Sequence, residues 1–410
     1  MFTEIVENFQ LKKSFDLFED ETKTICSTIY IDGIPIKKYT NEFWTAKQRQ
    51  ANSIHEVSYR ACFKPQLPKF FIENLTYKGD FVYDPFLGRG TTAIEAALLG
   101  RNIIGNDVNP LSQIFTESRL QIPNLQELEM YLNKIDFEKD IDTNYDLDMF
   151  FHEKTLKELC NLRAFILEKE SQQTLNKYDK WIRMVAANRL TGHSKGFFSV
   201  YTMPPNQAVS RERQIKINDK KQQTPDYRNA KQIILKKSKS LLRDLNQHQI
   251  QNLNLASKKA VFLNKDASQT YEIPENKVSL TVTSPPFLDV IQYAKDNWMR
   301  AWFNGIDYNE VERKITMSKK IEDWCDKMQN VFHELYRITK PGGHVAFEVG
   351  EIRNGKIRLD EYVVPLGIKA NFRPVCILIN EQVFTKTANI WGVDNNSKGT
   401  NSNRVVIFKK

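Results

Sequence analysis

Two stretches of this chain hold side chains whose types and spacing suit chemistry, and the first is Thr281-Val282-Thr283-Ser284-Pro285-Pro286-Phe287. The β-branched run from Val278 to Thr283 is bounded by turn formers, which predicts a buried strand. Its last residues then emerge at the carboxyl edge of a sheet, where open α/β folds hold their ligands. Two successive prolines fix φ at about −65° and remove two backbone donors, so the turn presents carbonyl oxygens without competing N–H groups. Acceptors of this kind suit an exocyclic amine on a nucleobase, whose lone pair is delocalised into the ring until its hydrogens are held in a tetrahedral arrangement. The Ser284 oxygen and the Pro285 carbonyl provide such acceptors by preorganised electrostatics, without a strong general base. Phe287 offers a flat apolar surface for the ring, with stacking worth about 1–3 kcal/mol per base. A base inside a duplex reaches such a pocket only by being flipped out. The chemistry that fits is methylation of that amine.

The second stretch is Asp84-Pro85-Phe86-Leu87-Gly88-Arg89-Gly90-Thr91-Thr92. An apolar strand from Phe81 runs into a Gly-x-Gly turn and then into a helix that begins at Thr91 and ends by Gly100. Glycines let the backbone approach a ligand closely, and the helix start offers free N–H groups. Asp107 follows the strand Asn102-Ile103-Ile104-Gly105 about twenty residues past the glycines, where a carboxylate takes ribose hydroxyls. A dinucleotide fold is the rival reading. Its fingerprint has a glycine or alanine at position 93, which is Ala93 here, so the glycine spacing alone decides nothing.

Thr283-Ser284-Pro285-Pro286-Phe287 resembles the catalytic motif of S-adenosylmethionine-dependent DNA amino-methyltransferases, in the Ser-Pro-Pro-aromatic form associated with N4-cytosine enzymes. Adenine-N6 enzymes more often carry Asp or Asn where Ser284 stands. Asp84-Pro85-Phe86 before the glycines resembles the cofactor loop of the same family. The resemblance implies S-adenosylmethionine as methyl donor, with Asp84, Pro85, Phe86, Gly88, Gly90, Thr91, Thr92 and Asp107 around it. The segment from Arg49 to Pro65 resembles the one that lies against the methionine part of the donor, which adds Phe63 and Lys64. Asp266, just past a short strand in the run Lys259 to Ala267, resembles the acid that accepts from the adenine amino group. Catalysis is then assigned to Ser284, Pro285, Pro286 and Phe287, with Tyr293 and Asn297 lining the target pocket. Trp298 and Trp302 read as core, and His55 as a satisfied structural histidine.

Positioning these residues calls for an α/β, class I methyltransferase fold: a Rossmann-like, seven-stranded, mostly parallel sheet. Arg373 to Phe384 and Arg404 to Phe408 are expected to supply its closing antiparallel pair. The loop between them, from Thr385 to Asn403, would hang over the sheet edge that carries Ser284. The chain divides into an N-terminal arm and hairpin (1–39), a first methyltransferase part (40–111), a largely helical insertion (112–256) and a second part (257–410). Ser27 to Ile36 alternates about Asp32-Gly33, a strong hairpin signal. Lys340-Pro341-Gly342-Gly343 reads as a stop and turn between an amphipathic helix over 320–339 and a strand beginning at His344.

Composition sets outer bounds. At 410 residues, 41% of them hydrophobic, the chain buries a large core. No run has the apolar length of a membrane span and no signal-peptide pattern opens the chain, so the expectation is a cytoplasmic protein. Five cysteines without a CxxC spacing argue against a zinc site, and none follows a proline as the nucleophile of cytosine-C5 methyltransferases does. The net charge of +9 is concentrated between Arg211 and Arg243, where basic residues are interleaved with hydroxyl and amide side chains. That composition suits a phosphate-tracking surface. Arg211, Arg213, Lys216, Lys220 and Lys221, with His193, Ser194 and Lys195 in a glycine- and aromatic-rich loop, are the candidate DNA contacts. The expected partner is double-stranded DNA, and a cognate restriction endonuclease is a further candidate. Adenine-N6 methylation, methylation of an RNA amine and a non-catalytic DNA-binding regulator stand as alternatives.

Overall fold

The computed structural model describes residues 2–10, 23–45, 51–60, 62–143, 145–203, 208–286, 296–315, 320–352, 357–381 and 402–410. Phe287, Tyr293 and residues 385–401 of the expected loop lie outside them.

Among the described residues, nine strands make the main sheet. In chain order they are β1 (Ile25–Ile31), β2 (Ile34–Asn41), β3 (Phe81–Asp84), β4 (Asn102–Asn106), β5 (Val261–Leu263), β6 (Val278–Thr283), β7 (Thr339–Val349), β8 (Arg373–Glu381) and β9 (Ser402–Lys409). Across the sheet the order is β1-β2-β8-β9-β7-β6-β3-β4-β5. The run β7-β6-β3-β4-β5 is parallel, while β9 is antiparallel to both β7 and β8. This is the class I methyltransferase arrangement. Every residue of β6 is buried, as a strand covered on both faces must be.

Two strands exceed the expected seven. The Asp32-Gly33 hairpin forms with both turn residues at positive φ (50° and 78°), which matches the twist of its strands. It docks through β2, which runs parallel to β8 with Leu378 opposite Tyr39, and so covers an edge that would otherwise be open. The second departure is at Lys340 to Gly343. These residues do not separate helix from strand; they fall inside β7, and the pairing with β6 shifts register between Val278 and Leu280. Gly342 takes φ +78°, so the chain absorbs its turn as an irregularity in the strand.

The stretch 112–256 is helical, with Glu153–Ser171, Lys177–Arg189, Arg211–Lys221, Ala230–Leu242 and Gln247–Ser257 as its main helices. It has no core of its own. Leu159, Trp181, Ile234 and Leu253 share one apolar cluster with Val82, Ile94, Leu280 and Val282 from the sheet region. The opposite face, with Tyr83, Val345 and Phe347, is covered by helices Ile321–Ile338 and Leu359–Lys369. Among the described residues no helix is long and apolar enough to cross a membrane.

Candidate active site

The two chemically suggestive stretches meet because β3 and β6 are neighbours, with Val82 opposite Leu280 and Tyr83 opposite Thr281. Parallel pairing brings Asp84 and Ser284 out at the same sheet end. The Thr283 hydroxyl donates to Asp84 Oδ1 at 2.7 Å, and the Phe86 N–H donates to the same oxygen at 3.2 Å. Thr92, in the first turn of helix Thr91–Leu98, donates to the Val282 carbonyl at 3.0 Å. Asp84 is only 2% exposed. Burial pushes its carboxyl up to about 7, against the opposing pull of the Thr283 and Phe86 donors.

The glycine turn is shaped by its neighbours. Gly90 sits at φ +76° as the residue before the helix, and a Cβ there would lie 2.1 Å from Thr116 Oγ1, so only glycine fits. The Gly88 N–H donates to Asp107 Oδ2 at 2.8 Å, and the Asn109 N–H to Oδ1 at 2.9 Å. Asp107 is thereby fixed at the carboxyl end of β4, its carboxyl raised above the usual range by burial. Asp266 stands just past β5, where its Oδ1 accepts from the Ser268 N–H at 2.8 Å and the Ser268 hydroxyl at 2.6 Å.

These groups border one open cleft of roughly 1200 Å³ of empty space. Phe63, Asp84, Pro85, Phe86, Gly88, Thr91, Asp107 and Asp266 line it together with Ser284 and Pro286. Lys64, Gly90, Thr92 and Pro285 are not on its surface. Gly90 and Thr92 shape the loop from behind, and the Lys64 carbonyl accepts from Leu67 N at the start of helix Gln66–Leu75. The Pro286 carbonyl already accepts from Trp324 Nε1 at 3.1 Å. Residues that sequence reasoning passed over also border the cleft, among them Tyr59, Arg60, Cys62 and Val108.

The most consequential omission is Glu348. With Thr283 opposite Phe347, the adjacent β7 places Glu348 beside Ser284, whose hydroxyl hydrogen-bonds its carboxyl. Asn403 Nδ2 donates to Glu348 Oε1 at 3.0 Å, and burial raises the Glu348 pKa. An acid ending the apolar run His344-Val345-Ala346-Phe347 was the available signal. His55 is buried as expected but only half satisfied, since its Nδ1 has no hydrogen-bond partner. It is 3% exposed with Nε2 2.8 Å from Glu95 Oε2, and burial lowers its pKa.

The two candidate DNA segments lie against each other. Gln214 and Gln223 donate to the Tyr201 carbonyl at 3.1 and 3.0 Å, and Lys221 lies over the Tyr201 ring at 4.2 Å. His193, Ser194 and Lys195 form the exposed tip of a loop fastened from below by Arg228, which donates to the carbonyls of Ser194, Phe197 and Ser199. Arg213, Lys216 and Lys220 are exposed, whereas Arg211 packs over Trp298 at 5.0 Å and reaches Asp146 at 3.5 Å. Not all of the basic window is available to a partner: Lys237 and Arg243 pair with Glu56 at 3.4 and 3.3 Å.

Comparison with known proteins finds a match over the part of the chain that carries the glycine turn. Residues 9–114 match the N6/N4 family model described as DNA methylase. The type II methyltransferase M.MjaII of Methanocaldococcus jannaschii is 30% identical over 138 residues, 33% of this chain and 26% of that protein. M.BsoBI of Geobacillus stearothermophilus, also a type II methyltransferase, is 30% identical over 138 residues, 33% of this chain and 24% of its own. The match thus spans about a quarter of each relative's length. Among solved structures, the rRNA methyltransferase aviRa of Streptomyces viridochromogenes aligns over 90% of this chain and 95% of its own, at 8% identity and a TM-score of 0.34, too slight a likeness to argue from.

Proposed function

We propose that this chain, whose residues 9–114 match the N6/N4 DNA methylase family model, uses S-adenosylmethionine to methylate the exocyclic N4 of a flipped cytosine at a specific site in duplex DNA. The observation that carries this reading is the Thr283 to Asp84 hydrogen bond, 2.7 Å long, with Gly88 and Ser284 on the wall of one cleft. A donor held at the glycine turn and an amine held beside Ser284 would then share one cleft.

The cleft suits the proposed donor by the chemistry of its lining. Asp107 and Asp266 are carboxylates for hydroxyl and amine donors, Phe86 and Val108 give apolar surface, and Asp84 is an acid buried where a sulfonium would come near. S-adenosylmethionine supplies an electrophilic methyl group on that sulfonium. The remaining work belongs to the chain. Ser284 accepts one amine hydrogen and so turns the nitrogen towards tetrahedral geometry, which frees its lone pair. Glu348 holds the Ser284 hydroxyl so that its lone pairs face the amine. The methylated nitrogen sheds one proton, and Ser284 and Glu348 offer it a path away from the reacting amine. Duplex DNA is the proposed partner, bound through the loop that carries His193, Ser194 and Lys195 and through Arg213, Lys216 and Lys220.

Mass spectrometry of nucleosides from DNA incubated with the protein and the methyl donor tests this. N4-methylcytosine is the expected product. N6-methyladenine would keep the pocket and move the target base, and methyl transfer to RNA alone would overturn the DNA assignment.

A further inference from the structure

Two successive prolines leave the turn Ser284-Pro285-Pro286 without a backbone donor on either ring residue, so the turn cannot close on itself through those positions. Its geometry has to be set from outside, through its acceptors and the Ser284 hydroxyl. Two anchors do this. At one end the Ser284 hydroxyl is held by Glu348, whose Oε1 accepts from Asn403 Nδ2 at 3.0 Å. At the other end Trp324 Nε1 donates to the Pro286 carbonyl at 3.1 Å. Pro285 lies between the two fixed points.

Both anchors belong to one helix and the strand it feeds. Trp324 stands near the start of helix Ile321–Ile338, which runs directly into β7, and β7 carries Glu348 near its end. Trp324, Met328 and Val331 recur at the spacing of one helix face, line the cleft with Pro286 and share an apolar cluster with Phe332 and Phe347. Packing alone would be served at position 324 by an all-carbon side chain, as it is at Phe332 and Leu335 on the same helix. The indole is 3% exposed, and the acceptor that its buried N–H finds is a carbonyl of the reactive turn. We infer that Trp324 is a positioning residue for methyl transfer: its indole holds the Pro286 carbonyl and thereby fixes the tilt of the proline turn, and with it the direction in which Ser284 meets the amine. Resting on the methyl-transfer reading above, this role is felt only where the reacting groups must align. A single neutral hydrogen bond adds little to folding, whereas a misplacement on the order of 1 Å at the reacting groups costs about a hundredfold in rate. Loss of the N–H should therefore show in turnover and hardly at all in stability or donor affinity.

Steady-state transfer of a labelled methyl group to DNA, titration of S-adenosylmethionine by calorimetry and thermal unfolding test this on the full chain. Trp324→Phe, which keeps an aromatic ring and loses the N–H, should lower turnover by about tenfold or more, with donor affinity within about twofold and the melting temperature within a few degrees of the wild type. Trp324→His, a poorer fit that keeps a ring N–H, should recover part of the turnover. Adding Trp324→Phe to Ser284→Ala should cost little more than Ser284→Ala alone, because both changes act through one turn. Turnover of Trp324→Phe within about twofold of the wild type overturns the role. So does a lower turnover for Trp324→His than for Trp324→Phe, the order that packing alone demands, and so do losses that multiply in the double variant. If Trp324→Phe does not fold, the same cycle run with Trp324→Leu decides. A wild-type chain that binds the donor and transfers no methyl group to any nucleic acid overturns the reading beneath this role, and the role with it.

Discussion

Ser284 and Asp84 differ in how they should respond to mutation. Ser284 lies at the cleft wall with its hydroxyl held by Glu348, and in the role proposed for it Ser284→Ala would remove an interaction needed only while the amine reacts. We expect turnover to fall by about 10²–10³ with donor affinity nearly unchanged, in line with the loss of one preorganised polar partner. Equal losses in both, read from steady-state kinetics and calorimetry, would move Ser284 out of that role. Asp84 acts on stability. Its pKa is raised by burial from 3.8 to about 7, so between those values the folded chain keeps a proton that the unfolded chain has lost. Stability therefore declines as pH rises through that window, by at most about 1.4 kcal/mol per pH unit from this group, and levels off above it. Asp84→Asn should abolish that component. Urea unfolding of both forms at several pH values should show the wild type losing stability relative to the variant across the window; a gap independent of pH would contradict the assignment.

Among the elements, the turn from β3 into helix Thr91–Leu98 is the least tolerant. Gly90→Ala forces a Cβ against Thr116 and holds alanine at φ +76°, two penalties that together should cost about 2–4 kcal/mol. Equilibrium unfolding in urea measures this directly, and a loss below about 0.5 kcal/mol would mean that the turn relaxes around the methyl group. This turn was legible in the sequence because its chemistry is local: a strand end, two glycines and a helix start lie within a dozen residues. The buried strand that ends just before Ser284 was legible for the same reason. Glu348 was not, because its importance comes from lying across from Ser284 on the next strand, and register between strands far apart in sequence leaves no local trace. The hairpin β1-β2 was readable as a hairpin, but its docking on β8 depends on which edge the rest of the sheet leaves open. Lys340 to Gly343 misled for a related reason: turn formers mark a break in propensity, and pairing with β6 on one side carried the strand through it.

At the scale of the whole molecule, the basic window between Arg211 and Arg243 shows what a charge count conceals. Eleven positive residues suggested one phosphate-tracking surface, yet the fold divides them by partner. Arg228 fastens the loop beneath His193, Ser194 and Lys195, Lys237 and Arg243 neutralise Glu56 against the helix Ala230–Leu242, and Lys231 lies over Phe137 at 5.0 Å. Arg213, Lys216 and Lys220 remain exposed on the helix Arg211–Lys221, whose first residue packs on Trp298, a dozen residues past Pro286. Two classes of variant should then separate. Replacing Arg213, Lys216 and Lys220 by serine should leave the melting temperature within a few degrees and flatten the dependence of log K for DNA on log salt, by about 0.9 for each phosphate no longer neutralised. Arg228→Ala should do the reverse in the free protein: three carbonyls lose the Arg228 guanidinium, the loop that carries Lys195 loosens, and the melting temperature falls before any DNA is added. Fluorescence anisotropy on a labelled duplex at four or five salt concentrations, beside thermal unfolding of the same proteins, tells the two apart. An unchanged slope in the triple variant would mean that this helix faces away from DNA, and the phosphate-binding groups would then have to be sought on the far side of the cleft.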